Sequence, residues 1–330
     1  MFWTLAALIL LAPATSKVTV RQEKHMGTYV TITVAAAESK AVLAAIDAGF
    51  AEVTRLENVL SEWRPDSEIS AVNRQAGKQA VKVGKELFHV FEMARDVSVK
   101  SNGAFDVTFA ALGGLWNYKA KNPRVPDKQE IEKRARLVDY RQLVLNAKDR
   151  SVMLKKPGMR TGLGGIAKGY VVDRVSAVLS KQGCPNHLVI AGGDLYASGT
   201  RGDRKWRIGI RNPKNRDLYA AVEVENEGVA TSGNYEKFFY QDGVRYHHIL
   251  DPKTGWPARG TSSVTVVAKS AAAADAYATA LFVLGPEKAL NLAEKEGLEL
   301  FVFDESYKTS STPGMHNRIQ PVSKNTQPLP

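Results

Sequence analysis

Residues 188 to 267 break into short apolar and β-branched runs, at 188–190, 206–210, 220–224, 238–240 and 264–267. Turns rich in Gly, Asn, Asp and Pro separate them. Helix-type periodicity lies before and after this stretch rather than between its members. Strands and helices that come in runs, without strict alternation, point to an α+β fold. The expected architecture is a mixed, largely antiparallel sheet with packed helices.

The flanking elements are readable from their periods. Thr28, Val30, Ile32 and Val34 alternate with Tyr29, Thr31 and Thr33, as a half-buried strand does. Val42, Leu43, Ile46, Phe50, Val53, Leu56 and Leu60 recur at helical spacing, with one buried face. A second helix runs through Leu87, Val90, Ala94 and Val97 and stops at Ser101-Asn102-Gly103, where glycine suits the C-cap. A charged helix follows Pro126-Asp127, and two short strands, 143–145 and 152–154, flank a turn. Val171, Val175 and Val178 mark a helix introduced by Gly162, Gly164 and Gly165. A helix over Ala271–Leu284, another after Pro286 and a strand at 298–303 complete the globular part, residues 17–307. From Lys308 the composition turns to Ser, Thr, Pro, Asn and Gln, which reads as a disordered polar tail over 308–330.

Residues 1–16 form an uncharged apolar run ending in small residues, too short for a transmembrane helix of about 20 residues. They read as a secretory signal with Ala12-Pro13-Ala14 or Ala14-Thr15-Ser16 before the cut, although the usual basic start is missing. An N-terminal strand or buried helix is the alternative. A signal implies export to the periplasm, with membrane contact only through an uncleaved N-terminus. Cys184 is the one cysteine, so neither an intrachain disulfide nor a lipid-bearing cysteine after the apolar run is expected. The net charge of +11 raises nucleic acid as a partner. The basic residues are scattered, with no aromatic-interleaved stripe, so no nucleic-acid binding is expected and a polyanionic small ligand suits the charge as well.

Five segments carry possible chemistry. Gly162-Leu163-Gly164-Gly165-Ile166-Ala167-Lys168-Gly169 precedes a helix, where free N–H groups can meet a phosphate, or where a tight turn simply packs helix on sheet. Asp275 and Thr279 stand four apart on one helix face. A carboxylate beside a hydroxyl suits a hard cation such as magnesium; equally, the aspartate can favour the helix dipole while the threonine bonds its own turn. In His247-His248 before Asp251-Pro252, consecutive strand residues face opposite ways, so one histidine at most enters a site and His247→Ala should be almost silent. The chain's six histidines lack zinc spacing. Finally, Gly103-Ala104-Phe105-Asp106 and the loop segment Ser61 to Ser70 offer Trp63 for stacking and Asp106 for hydrogen bonds to a ring edge or ribose. A core aromatic and a turn-capping aspartate are the plain alternatives.

Taken in order, Met26-Gly27-Thr28, SEWRPDSEIS, GAFD, GLGGIAKGY with Asp173, AGGDLYASG, ATSGNYE, HHILDPKTG and ADAYATALFVLG resemble the ApbE family over roughly residues 18–303. The resemblance implies FAD as substrate, a magnesium site, and transfer of FMN to a threonine hydroxyl of an acceptor protein with release of AMP. Acceptors of this kind are flavoproteins such as subunits of electron-transfer complexes or FMN-binding-domain proteins. By motif position, Asp275, Thr279 and the main-chain oxygen of Ala167 would hold the metal. Met26, Trp63, Ala104, Phe105, Asp106, Lys168, Tyr170 and Ile249 would surround FAD, and His248 would activate the acceptor hydroxyl. Two departures stand out: no lipobox cysteine, and alanines at 271–274 where relatives often carry an acid. Hydrolysis of FAD to FMN and AMP, or plain FAD storage, would use the same pocket.

Overall fold

The computed structural model describes residues 17–322; the expected signal at 1–16 and the last eight positions of the expected tail lie outside the described residues. Strands β1 (Thr19–His25) and β2 (Thr28–Val34) form a hairpin closed by Met26 and Gly27, with φ of 51° and 70°. A two-residue turn with both φ values positive matches the twist of the flanking strands. Met26 tolerates this conformation with its N–H donated to Glu57 Oε1 at 3.1 Å.

Helix α1 (Lys40–Leu60) starts at Ser39, whose hydroxyl accepts the Val42 N–H, and buries the stripe that its period forecast. The next segment was expected to be all loop, yet Ser67 caps a short helix, α2 (Glu68–Arg74). Ser67 and Glu68 supplied an N-cap signal that the aromatic and proline nearby obscured. Then come β3 (Val81–Lys82), α3 (Lys85–Lys100), a 3-10 turn at Val107–Leu112 and α4 (Lys128–Ala135). Strands β4 (Leu143–Asn146) and β5 (Ser151–Leu154) join β3 in a small sheet ahead of α5 (Ala167–Lys181).

The strand-rich half holds β6 (His187–Ala191), β7 (Asp194–Ser198), β8 (Trp206–Arg211), β9 (Leu218–Val224), β10 (Glu227–Gly233), β11 (Phe238–Gln241), β12 (Val244–His247) and β13 (Thr261–Ala268). Helices α6 (Ala271–Leu284) and α7 (Pro286–Glu296) precede β14 (Glu299–Asp304), β15 (Thr309–Ser311), α8 (Pro313–Arg318) and β16 (Ile319–Pro321). The main sheet runs β1-β2-β6-β7-β10-β13-β14-β15, and every pairing in it is antiparallel. The α+β architecture thus stands as expected.

Two cores explain the apolar runs. One face of the main sheet packs on α1, α3, α5 and α6; the other, through Leu188, Ile190 and Phe303, packs on Trp206, Ile208 and Val222 of the β8-β9-β16 sheet. Strands β6 and β13 are buried along their whole length, so they read as continuous apolar runs rather than alternating ones.

The expected disorder from residue 308 is corrected over its first part. Strand β15 pairs with β14, β16 pairs with β9, and Met315 is fully buried. Thr312 bonds both the Leu300 N–H and Glu299 Oε2. A few anchors on an existing sheet edge ordered a segment whose composition alone is polar.

Candidate functional site

The site grows from the crossing of α5 and α6. Gly169 allows it: a Cβ there would lie 2.2 Å from the Ala271 carbonyl oxygen. The alanines at 271, 272 and 274 are fully buried in this contact, which is the physical reason for the alanine run. Asp173 of α5 accepts the N–H groups of Ala271 and Ala272 at 2.7 and 2.9 Å, so one helix caps the other. Burial raises the Asp173 carboxyl to about 6 despite those two donors.

One turn on, α6 presents Asp275, only 4% exposed, to the entry of α5. Its Oδ2 accepts the Gly169 N–H at 3.2 Å and lies 3.3 Å from Lys168 Nζ. Lys168 Nζ also sits 2.5 Å from Oδ2 of Asp194, a residue 3% exposed at the start of β7. Burial and the Asp194 charge push the Asp275 carboxyl well above the usual range, against the pull of Lys168 and Gly169. Burial works against the Lys168 charge, but the two aspartates outweigh it and hold the ammonium protonated.

Thr279, one turn beyond Asp275, is half-buried and faces the glycine-rich segment. A Cβ on Gly165 would come within 3.0 Å of Thr279 Oγ1 and 3.1 Å of the Phe105 ring. Glycine therefore keeps a cleft open where GAFD, the glycine loop and the Asp275–Thr279 face meet. Ala167 opens α5 beside it. The oxygen-rich donor set fits a hard divalent cation, and the Lys168 ammonium shows that this pocket seats positive charge.

The histidines separate as strand geometry requires. His247 is 1% exposed, with Nε2 2.8 Å from the Ala258 carbonyl and Nδ1 accepting the Ile249 N–H at 3.3 Å. His248 is half-buried; its main-chain N–H and Nδ1 both approach the Lys237 carbonyl, at 3.0 and 3.3 Å. Burial, then the charge of Lys237, push the His248 imidazole down to about 3, and Lys168 adds to the effect. Lys237 is itself pushed down by burial and by Lys119 and Lys168, with only Glu236 opposing. The hairpin β11–β12 that carries these groups is held by Trp116 and Tyr118, whose hydroxyl donates to the His247 carbonyl at 2.9 Å.

The other residues expected around FAD have surroundings of their own. The Asp106 carboxylate is engaged by the protein: Oδ1 accepts from the Thr108 N–H and hydroxyl at 2.8 and 2.6 Å, Oδ2 from the Tyr140 N–H at 2.7 Å. Its turn-capping role, one of the two alternatives, is the one seen. The Tyr170 hydroxyl donates to Glu86 and its ring lies beside His89, so its oxygen is committed to the protein. Ala104, Phe105 and Ile249 are buried, Met26 lies in the β1–β2 turn, and Trp63 is 88% exposed. Asp194, Lys237 and Glu62 were not singled out from the sequence. Burial lifts the Glu62 carboxyl to about 7 against the charge of Arg160, and a Cβ on Gly162 would strike that carboxylate at 2.5 Å. The glycines on either side of Leu163 were the signal that something approaches closely.

Fold and site define a class: α+β proteins in which a glycine-rich helix entry meets a buried acid pair and a lysine. The ApbE family matches residues 26–302, and the chain belongs to that family. A Treponema pallidum protein named FAD:protein FMN transferase is 37% identical over 298 residues, 84% of this chain and 82% of that one. A protein of the same name from Vibrio cholerae is 34% identical, covering 82% and 83% of the two chains. Among solved structures, the ApbE protein of Thermotoga maritima superposes with a TM-score of 0.84 at 32% identity, over 92% of this chain and 99% of that one. The flavin transferase ApbE of Vibrio cholerae gives 0.82 at 29% identity, over 92% and 99%.

Proposed function

We propose that this protein is an FAD:protein FMN transferase: it moves FMN from FAD to a threonine hydroxyl of an acceptor protein and releases AMP, with magnesium bound at Asp275 and Thr279. What supports this reading most is the Asp275–Thr279 face beside the open glycine entry at Gly165, with His248 and Lys237 near enough to feel the Lys168 charge. Several relatives bear the transferase name over most of the chain's length.

The residues divide the work by charge. Asp275, Thr279 and the Ala167 carbonyl would hold magnesium, which supplies charge neutralisation at the phosphates and a template for in-line attack. Lys168 and Lys237 offer ammonium groups to a diphosphate, whose two negative charges balance a cluster that is otherwise self-repelling. An Nδ1–H donated to the Lys237 carbonyl fixes the His248 tautomer with a free lone pair on Nε2. That nitrogen takes the proton of the attacking hydroxyl as its oxygen bonds the FMN-side phosphorus; the bond to the AMP phosphate breaks, and AMP leaves with the electron pair. Phe105 walls the cleft at Gly165.

The apolar run at residues 1–16 supports a periplasmic setting. Among the described residues no helix is long and apolar enough to cross a membrane. The test is mass spectrometry of a candidate periplasmic flavoprotein after incubation with FAD, magnesium and this protein. An adduct of FMN mass on one threonine is expected. Free FMN with an unmodified acceptor would instead mark a hydrolase.

A further inference from the structure

Lys168 occupies an unusual seat. Its Nζ lies 2.5 Å from Asp194 and 3.3 Å from Asp275, and both carboxylates are nearly inaccessible. Asp275 belongs to the cation face of α6, whereas Asp194 reaches in from β7 and neither helix needs it. Two buried carboxylates this close repel each other unless a cation lies between them, and here that cation belongs to the chain itself.

We propose that Lys168 is a built-in competitor for the divalent cation, and that Asp194 is the positioning residue that draws it aside. The inference rests on the assignment of the metal to Asp275. With no metal, the ammonium bridges both acids and the trio carries one net negative charge. When a divalent cation takes Asp275, Lys168 gives up the longer contact and keeps the shorter one, on Asp194. The ammonium thereby stays at the edge of the cation site, aimed at a phosphate oxygen, instead of leaving for solvent. The trio and the metal together then carry one net positive charge, and an anionic diphosphate restores balance. Metal and FAD should therefore bind with positive coupling, each making the other's charge cheaper to bury.

Asp194 can act by holding Lys168 or by ligating the metal directly, and the two differ in a double-mutant cycle. Magnesium affinity is measured by calorimetry without FAD, and Mn2+ affinity by electron paramagnetic resonance, on the full chain. Lys168→Met should tighten the metal by between about tenfold and about a thousandfold, the range that one unit charge at about 4 Å spans between a water-like dielectric and an effective dielectric of about 20. Asp194→Asn should loosen it, because Lys168 then has only Asp275. The double variant should bind the metal about as tightly as Lys168→Met alone, because Asp194 acts only through Lys168. A double variant as weak as Asp194→Asn would make Asp194 a ligand and overturn the proposal, as would a Lys168→Met affinity equal to or below wild type. Should the variants fail to fold, the unmodified protein serves: the Lys168 side-chain nitrogen resonance must shift on magnesium addition, and a static resonance overturns the idea. Loss of metal in Asp275→Ala keeps the functional reading alive even then. Unchanged metal binding in that variant takes both down together.

Discussion

His247 and His248 are neighbours in sequence with opposite allegiances: His247 turns its Nε2 to the Ala258 carbonyl, 2.8 Å away in the core, and His248 sets its Nδ1 3.3 Å from the Lys237 carbonyl at the cleft. The two side chains face opposite ways, as strand geometry implies, and the buried one carries contacts of its own. His247 also packs edge-on against Phe282. His247→Ala removes that contact and leaves the Ala258 carbonyl and the Ile249 N–H without partners, a loss of about 2–4 kcal/mol. Chemical denaturation of the variant measures it; wild-type stability would refute the structural role.

The same burial sets a pH dependence. Burial, with Arg259 and Arg245 adding and the Ala258 carbonyl opposing, pushes the His247 imidazole down to about 4. In the unfolded chain it titrates near ~6.5. Between these values the unfolded state holds the extra proton, so stability is full above the upper one and is lost as pH falls toward the lower. The loss from this group amounts to about 3 kcal/mol. His187, fully buried and also pushed down by burial, works in the same direction. Melting temperature should fall steadily from pH 7 to pH 4, and less steeply in His247→Gln. Equal slopes in the two proteins would be inconsistent with this account.

How much was legible depended on whether a signal was local. The α1 stripe, the Ser101–Gly103 stop of α3 and the Asp127 cap of α4 are written in adjacent residues, and the structure follows them. Strands β7, β10 and β12 were not legible. β7 carries Asp and Ser and β10 opens at Glu227-Gly228; they pair with each other from well-separated parts of the chain, whereas β12, with Arg245 at its second position, takes its strand state from β11 across the Asp242-Gly243 turn. The shared face of Asp275 and Thr279 on α6 could be read because four-residue spacing is local. Asp194 and Lys237 reach the same cleft from β7 and from the segment before β11, and no spacing rule connects them to it.

Gly165 offers a test of the cleft apart from its charges. A methyl group there must displace Thr279 Oγ1 or the Phe105 ring, from 3.0 and 3.1 Å respectively. Gly165→Ala should therefore weaken both FAD and magnesium binding while the melting temperature changes little, since the residue has no positive φ to lose. A variant that binds both ligands as the wild type does would place the flavin elsewhere.

Asp275→Ala and Thr279→Val separate the two proposed metal ligands by charge. Asp275 is the anionic donor, so its loss should abolish AMP release and metal binding; the neutral hydroxyl should matter less, raising the magnesium requirement without removing it. Asp275→Ala also frees Lys168 to pair with Asp194 alone, so the fold should survive. AMP release by Asp275→Ala in excess chelator would end the metal assignment.

The final prediction concerns His248, whose imidazole is held down to about 3 by burial and by Lys237. From an unperturbed histidine the transfer rate would be expected to fall below pH ~6.5. In the ligand-free protein His248 should instead stay neutral to well below that, which an imidazole nitrogen NMR titration would record. Bound diphosphate screens Lys237 and Lys168, so FAD should raise the His248 pKa and bring it back toward a useful base strength. Lys237→Met should do the same without ligand, and should weaken FAD binding by removing one ammonium. His248→Ala, by contrast, should leave FAD affinity nearly intact and slow transfer by about 10²–10⁴-fold, the usual contribution of a general base. Saturating FAD distinguishes the roles. If turnover of His248→Ala recovers to the wild-type value when FAD is saturating, the imidazole serves binding and the proton must leave by another route. If the slow rate persists at saturation, with the Lys237→Met profile displaced toward higher pH, the base and its tuning residue are both in place.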